Sequence, residues 1–101
     1  MTGRWNGSIG IYILASRPRG ALYIGVTNSL GQRVYAHRTG TGSIHAARYR
    51  IWRLVYTESF NDVREAIARE KQLKKWRRQW KIDLIERHNP TWEDLYPHTI
   101  T

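Results

Sequence analysis

Two short alternating stretches joined by a single turn constrain this chain more than any other feature. From Ser8 to Leu14, Ile9, Ile11 and Ile13 point one way and Gly10, Tyr12 and Leu14 the other. From Ala21 to Thr27, Leu22, Ile24 and Val26 point one way and Tyr23 and Gly25 the other. Between them, Arg17-Pro18-Arg19-Gly20 has the composition of a turn. So short a connection allows only an antiparallel hairpin. If the aliphatic faces coincide, Tyr12 and Tyr23 share the opposite face.

The remainder reads as alternating helix and strand. Asn28-Ser29 precede a helical pattern from about Leu30 to Arg38, with Ser29 and Gln32 in capping-box register. Arg33 and His37 are four apart and so lie on one helical face. Thr39 to Ser43 is a flexible, glycine-containing loop. The third strand lies within Tyr49 to Glu58, centred on Trp52 to Thr57. Asn61-Asp62 begin a long helix, with Asp62 and Glu65 in capping-box register. Its apolar stripe runs Val63, Ala66, Ile67, Leu73, and Glu70 falls in the gap. A carboxylate there is partly buried, which is costly unless it is paired or binds a cation. A last helix covers about Trp80 to Arg87 and stops at Asn89-Pro90. The tail, with Trp92, Leu95 and Tyr96, folds back as a short turn or helix. The expected class is α/β, a small three-stranded antiparallel sheet flanked by helices in the order β-β-α-β-α-α. Its 101 residues suit one domain over 1–101, with a core of about 8–88 and a tail of 89–101.

Charge narrows the partners. The formal net charge is +9 and the pI about 10.5, so a polyanion is expected, and nucleic acid before an anionic membrane. The absence of cysteine excludes disulfides and thiolate zinc sites. The four histidines show no HxxxH spacing. No apolar run approaches the ~20 residues of a membrane span, and Met1 to Ser8 is polar. A cytoplasmic protein with no membrane association is expected. Residues 69–81 carry seven basic side chains interleaved with Trp76 and Trp80. Lys71, Lys74, Lys75, Arg78 and Lys81, with Arg48 and Arg50 from the loop Thr39 to Arg50, are the candidate phosphate contacts. That loop, which also holds His45, can adapt to a substrate. Trp76 and Trp80 are read as core or tail-packing residues rather than base-stacking platforms.

These residues resemble a known family. Gly10-Ile11-Tyr12 and Tyr23-Ile24-Gly25, with ten residues between them, look like the two halves of the GIY-YIG nuclease motif. Arg33 stands where that family places its helix arginine, His37 where several members have histidine, and Glu70 where the family has its metal-binding carboxylate. The chain is closest to the small stand-alone bacterial members, similar to the N-terminal nuclease domain of the excision-repair nuclease. Two positions depart from the pattern. Val26 stands where many members have lysine, and Lys81 near where many have asparagine; the later Asn89 is too far along.

The resemblance implies an endonuclease that hydrolyses phosphodiester bonds in DNA, structure-selective or weakly sequence-specific, in repair or recombination. It implies one divalent ion, Mg2+ or Mn2+, held by Glu70, and a protein partner within a repair assembly. Arg33 would contact the scissile phosphate. Tyr12 would orient or deprotonate the water, His37 would take its proton, and Tyr23 would share in placing the water. A tyrosine acts as a base only where neighbouring cations favour the phenolate; the metal, Arg33 and His37 are the cations at hand. Gly10 and Gly25 would allow close approach. Two other readings stay open. Glu70 pairs with Lys74 as an i,i+4 bridge, or the chain is a catalytically weak nucleic-acid-binding module of the same fold.

Overall fold

The hairpin forms as the alternation dictates. In the computed structural model, which describes residues 9–40 and 48–96, Ile9–Ala15 (β1) pairs antiparallel with Leu22–Thr27 (β2). Tyr12 lies opposite Gly25 and Leu14 opposite Tyr23. The turn closes with the Gly20 amide donating to the Arg17 carbonyl at 2.8 Å. Leu30–Arg38 (α1) follows, then Arg53–Phe60 (β3), Val63–Lys75 (α2) and Arg78–His88 (α3). β3 pairs antiparallel on the other side of β1, giving the sheet order β2-β1-β3. The expected β-β-α-β-α-α order and the three-stranded antiparallel sheet are both present.

As the central strand, β1 is covered on both faces, and Ile11 to Ala15 are fully buried. Ile11, Ile13, Ile24 and Val55 pack against Leu73 of α2, Ile82 and Ile85 of α3, and Trp92. Tyr12, Leu14 and Leu54 face the other way, against Leu30 and Val34 of α1, Ile51, and the tail residues Leu95 and Tyr96. Each fully buried aliphatic side chain stabilises the fold by about 1.5–3 kcal/mol. A bulge in β3, where Ile13 faces Tyr56 but Leu14 faces Leu54, leaves Val55 as the extra residue. Val55 and Tyr56 thus both enter the core beneath α2 and α3.

Several local expectations change. Ser29 makes no side-chain cap; its hydroxyl donates to the Gln32 side chain instead. Asp62 does cap α2, but through the Arg64 amide at 2.8 Å rather than by a reciprocal pair with Glu65. Val63 and Ile67 are 48% and 37% exposed, so they are not on the buried stripe. The line facing the sheet is Ala66, Glu70, Leu73: the small Ala66 lets the helix axis approach, and that rotation turns Val63 and Ile67 outward. α3 begins two residues earlier than the pattern suggested. Asn89 ends it with every amide atom engaged, donating to the carbonyls of Val55 and Glu93 and accepting from the Glu93 amide. Among the described residues no helix is long and apolar enough to cross a membrane.

Candidate active site

The shared face of the hairpin carries the two tyrosines, as strand parity requires. Their ring centroids are 6.2 Å apart. α1 crosses this face and brings His37 against both, 5.8 Å from Tyr12 and 5.0 Å from Tyr23 between ring centroids. The Tyr12 hydroxyl lies 3.2 Å from His37 Nε2, in a buried contact between residues 25 apart in sequence. Arg33, one turn earlier on α1, is exposed, yet its charge acts on both Tyr12 and His37.

Gly25 explains how the Tyr12 phenol fits. A Cβ added there would stand 2.8 Å from Tyr12 Cε1 and closer still to Cζ and the hydroxyl oxygen. The phenol therefore lies directly over the glycine. Any side chain at Gly25 would displace the hydroxyl from His37.

The protonation states follow from burial. Burial pushes the Tyr12 hydroxyl up to about 12, neighbouring Tyr23 adds to this, and the Arg33 guanidinium beside it only partly offsets both. Tyr12 is thus a neutral phenol near pH 7, where the sequence suggested that cations would favour the phenolate. Burial, and then the charge of Arg33, lower the His37 pKa below its ordinary 6.5. A neutral imidazole beside a neutral phenol leaves one arrangement: the Tyr12 hydroxyl donates to His37 Nε2, and Nδ1 carries the imidazole proton. His37 Nδ1 is buried without a hydrogen-bond partner. Such a group costs about 1–3 kcal/mol and points to a role outside stability.

Glu70 stands apart from this group. It lies on α2, whose Leu73 packs on the opposite sheet face, and its side chain is only 17% exposed. Lys74 Nζ pairs with it at 3.1 Å, which is the i,i+4 bridge. No hydrogen bond or ion pair among the described residues joins Glu70 to Tyr12, Tyr23, Arg33 or His37. The structure thus brings four of the five expected residues together and leaves Glu70 on a different helix.

The basic residues divide by use. Arg48, Arg50, Lys71, Lys74 and Lys75 are exposed, and Arg50 adopts a left-handed backbone with φ of 56°. Arg78 donates to the carbonyls of Arg19 and Gly20, so it ties the hairpin turn to α3. Lys81 is half-buried and reaches the Lys74 carbonyl at 3.4 Å. Gly42 and His45 fall outside the described residues. Trp76 leans on the core as expected, whereas Trp80 is 48% exposed and is not a core residue.

One feature gave no signal in the sequence. Arg38, next to His37, forms an ion pair with Asp94 of the tail and lies over the rings of Trp52 and Tyr96, 4.9 and 4.3 Å from their centroids. Asp94 also accepts from the amides of Leu54 and Tyr96. The tail thereby clamps the C-terminal end of α1, the end that carries His37.

Residues 8–83 match the model of the GIY-YIG catalytic domain. The chain is 40% identical over 75 residues to a UPF0213 protein of Clostridium perfringens, covering 74% of this chain and 80% of that one. It is 36% identical over 80 residues to a UPF0213 protein of Bacillus pumilus, covering 79% and 82%. A third, from Staphylococcus saprophyticus, is 36% identical over 75 residues, covering 74% and 90%. No solved structure matches the chain significantly. Motif, fold and family match coincide on the same residues, and the chain belongs to the GIY-YIG nuclease family.

Proposed function

We propose that the chain is a metal-dependent endonuclease that hydrolyses phosphodiester bonds in DNA, with structure selectivity or weak sequence preference, in repair or recombination. The observation that carries this reading is the Tyr12 hydroxyl held on a neutral, buried His37 beside the Arg33 guanidinium. In the proposed reaction the Tyr12 oxygen accepts a proton from the attacking water as its own proton passes to His37 Nε2. The water oxygen forms the new bond to phosphorus, and the sugar oxygen leaves. Arg33 neutralises the phosphate charge that develops, which its planar donors suit. Tyr23, packed on His37, fixes the imidazole and offers a second hydroxyl to the water.

The donor set fits a particular kind of ion. Glu70 supplies one hard, largely buried carboxylate, and no group of three acidic, histidine or cysteine side chains exists among the described residues. This suits Mg2+ or Mn2+, which keep several waters and take further oxygens from substrate phosphate. When bound, the ion would supply Lewis-acid stabilisation of the phosphate. Glu70 would exchange its Lys74 partner for it.

The test is nicking of supercoiled and branched DNA with Mg2+ or Mn2+, comparing wild type with Glu70→Ala and Arg33→Ala. Loss of nicking in both variants is expected, and equal nicking by all three sinks the assignment. The Glu70–Lys74 bridge, with Val26 and Lys81, favours a second reading: a nucleic-acid-binding module with little catalysis. Binding that persists in EDTA without cleavage of any substrate would select it.

A further inference from the structure

The junction between α2 and α3 carries aromatic surface that the proposed chemistry does not use. Trp76 ends α2 in an extended conformation and packs on the core. Trp80, in the first turn of α3, keeps 48% of its surface exposed. The two rings meet edge to face, 6.0 Å apart at 85°. Arg77 Cζ lies 5.2 Å from the Trp80 ring centroid, and Arg69 Cζ lies 5.2 Å from that of Trp76. Trp80 is therefore fixed by an aromatic and a guanidinium neighbour while nearly half of it stays open.

A lone exposed aromatic needs no explanation. The surroundings of this one supply it. Lys74, Lys75 and Arg77 are exposed within the same short segment, and Lys81 is half-buried beside them. The nearest acid on α3, Asp83, accepts from the Gln79 amide at 2.9 Å. Glu70 precedes Trp76 by six residues, about 9 Å along the helix. A fixed flat ring flanked by cations suits an unpaired nucleobase, which stacks on the ring while its neighbouring phosphates meet the lysines. A duplex, whose bases are already stacked on one another, has no base face to offer.

We propose that Trp80, braced by Trp76 and Arg77, is a stacking platform for an unpaired base of single-stranded DNA. The substrates of the neighbouring site would then be DNA structures with unpaired nucleotides. What is cut rests on the nuclease reading above; the binding does not.

The experiment measures fluorescence anisotropy in EDTA with labelled oligo-dT, a duplex of equal length and the matching RNA. Wild type is compared with Trp80→Ala and Trp80→Phe. Trp80→Ala is expected to weaken oligo-dT binding about tenfold or more. Duplex affinity should stay within about twofold, and Trp80→Phe should recover most of the loss. The unchanged duplex affinity also shows that the variant is folded. Equal weakening on both DNAs, or on neither, overturns the platform. Tighter, Trp80-dependent binding of RNA than of DNA overturns it as a DNA device. Because no cleavage is read, a failed platform leaves the nuclease reading intact, and an inactive protein can still show the platform.

Discussion

At the residue scale, a missing side chain and a lost charge set up the candidate site. Gly25 is open so that the Tyr12 phenol can lie across it. Gly25→Ala is expected to destabilise the protein by about 1–3 kcal/mol through overpacking. It should also lower cleavage, because the hydroxyl leaves His37; thermal melting and the nicking rate check the two effects. The neutral His37 has a pH signature. Its folded pKa lies below its ordinary 6.5, so the folded state binds fewer protons than the unfolded state in that range. Its contribution to stability is complete above about pH 6.5 and is lost as pH falls through the lowered value. Cleavage should fall over the same interval, since a protonated imidazole cannot take the Tyr12 proton. His37→Gln should remove that pH dependence of stability in denaturation curves, and its retention in the variant would exclude His37 as its source. Tyr12 and Tyr23 were legible from strand parity and Arg33 and His37 from helical spacing, because both periods are local. The protonation state of Tyr12 was not, since burial outweighs the nearby cation only once both sheet faces are covered.

At the element scale, the hairpin, α1 and β3 follow from pattern and turn chemistry, but the rotation of α2 does not. Four apolar residues left two faces available, and the packing of Ala66 and Leu73 on the sheet decided between them. That choice buries Glu70 more deeply than Val63 or Ile67. The clasp between Arg38 and Asp94 joins residues 56 apart, a separation at which no local pattern speaks. Asp94→Ala removes an ion pair and two backbone hydrogen bonds at once. A loss of about 2 kcal/mol in urea denaturation is expected, since the Leu54 amide and Arg38 are left without their acceptor. Glu86 is a second tie between the hairpin turn and α3. Hydrogen bonds from Arg19 and Trp92 hold its carboxyl well down, to about 2 from an ordinary 4.5. Its stabilisation is present above about pH 4.5 and is lost as pH falls through about 2, so Glu86→Gln should flatten that acid limb.

At the scale of the whole molecule, the charge of +9 accounts for binding and not for cleavage. If Lys71, Lys74, Lys75, Arg77 and Lys81 each neutralise one phosphate, log K against log salt for duplex DNA should have a slope of about −4.5. Lys75→Ala should make it shallower by about 0.9. A slope near zero would separate the basic surface from DNA altogether. The catalytic claim needs a change that leaves this surface and the packing alone. Tyr12→Phe removes one hydroxyl and keeps the ring over Gly25. The decisive measurement is the single-turnover cleavage rate of Tyr12→Phe beside its DNA affinity. A rate about a hundredfold or more below wild type, at unchanged affinity, is predicted. A wild-type rate in Tyr12→Phe would contradict a site built on the Tyr12–His37 pair.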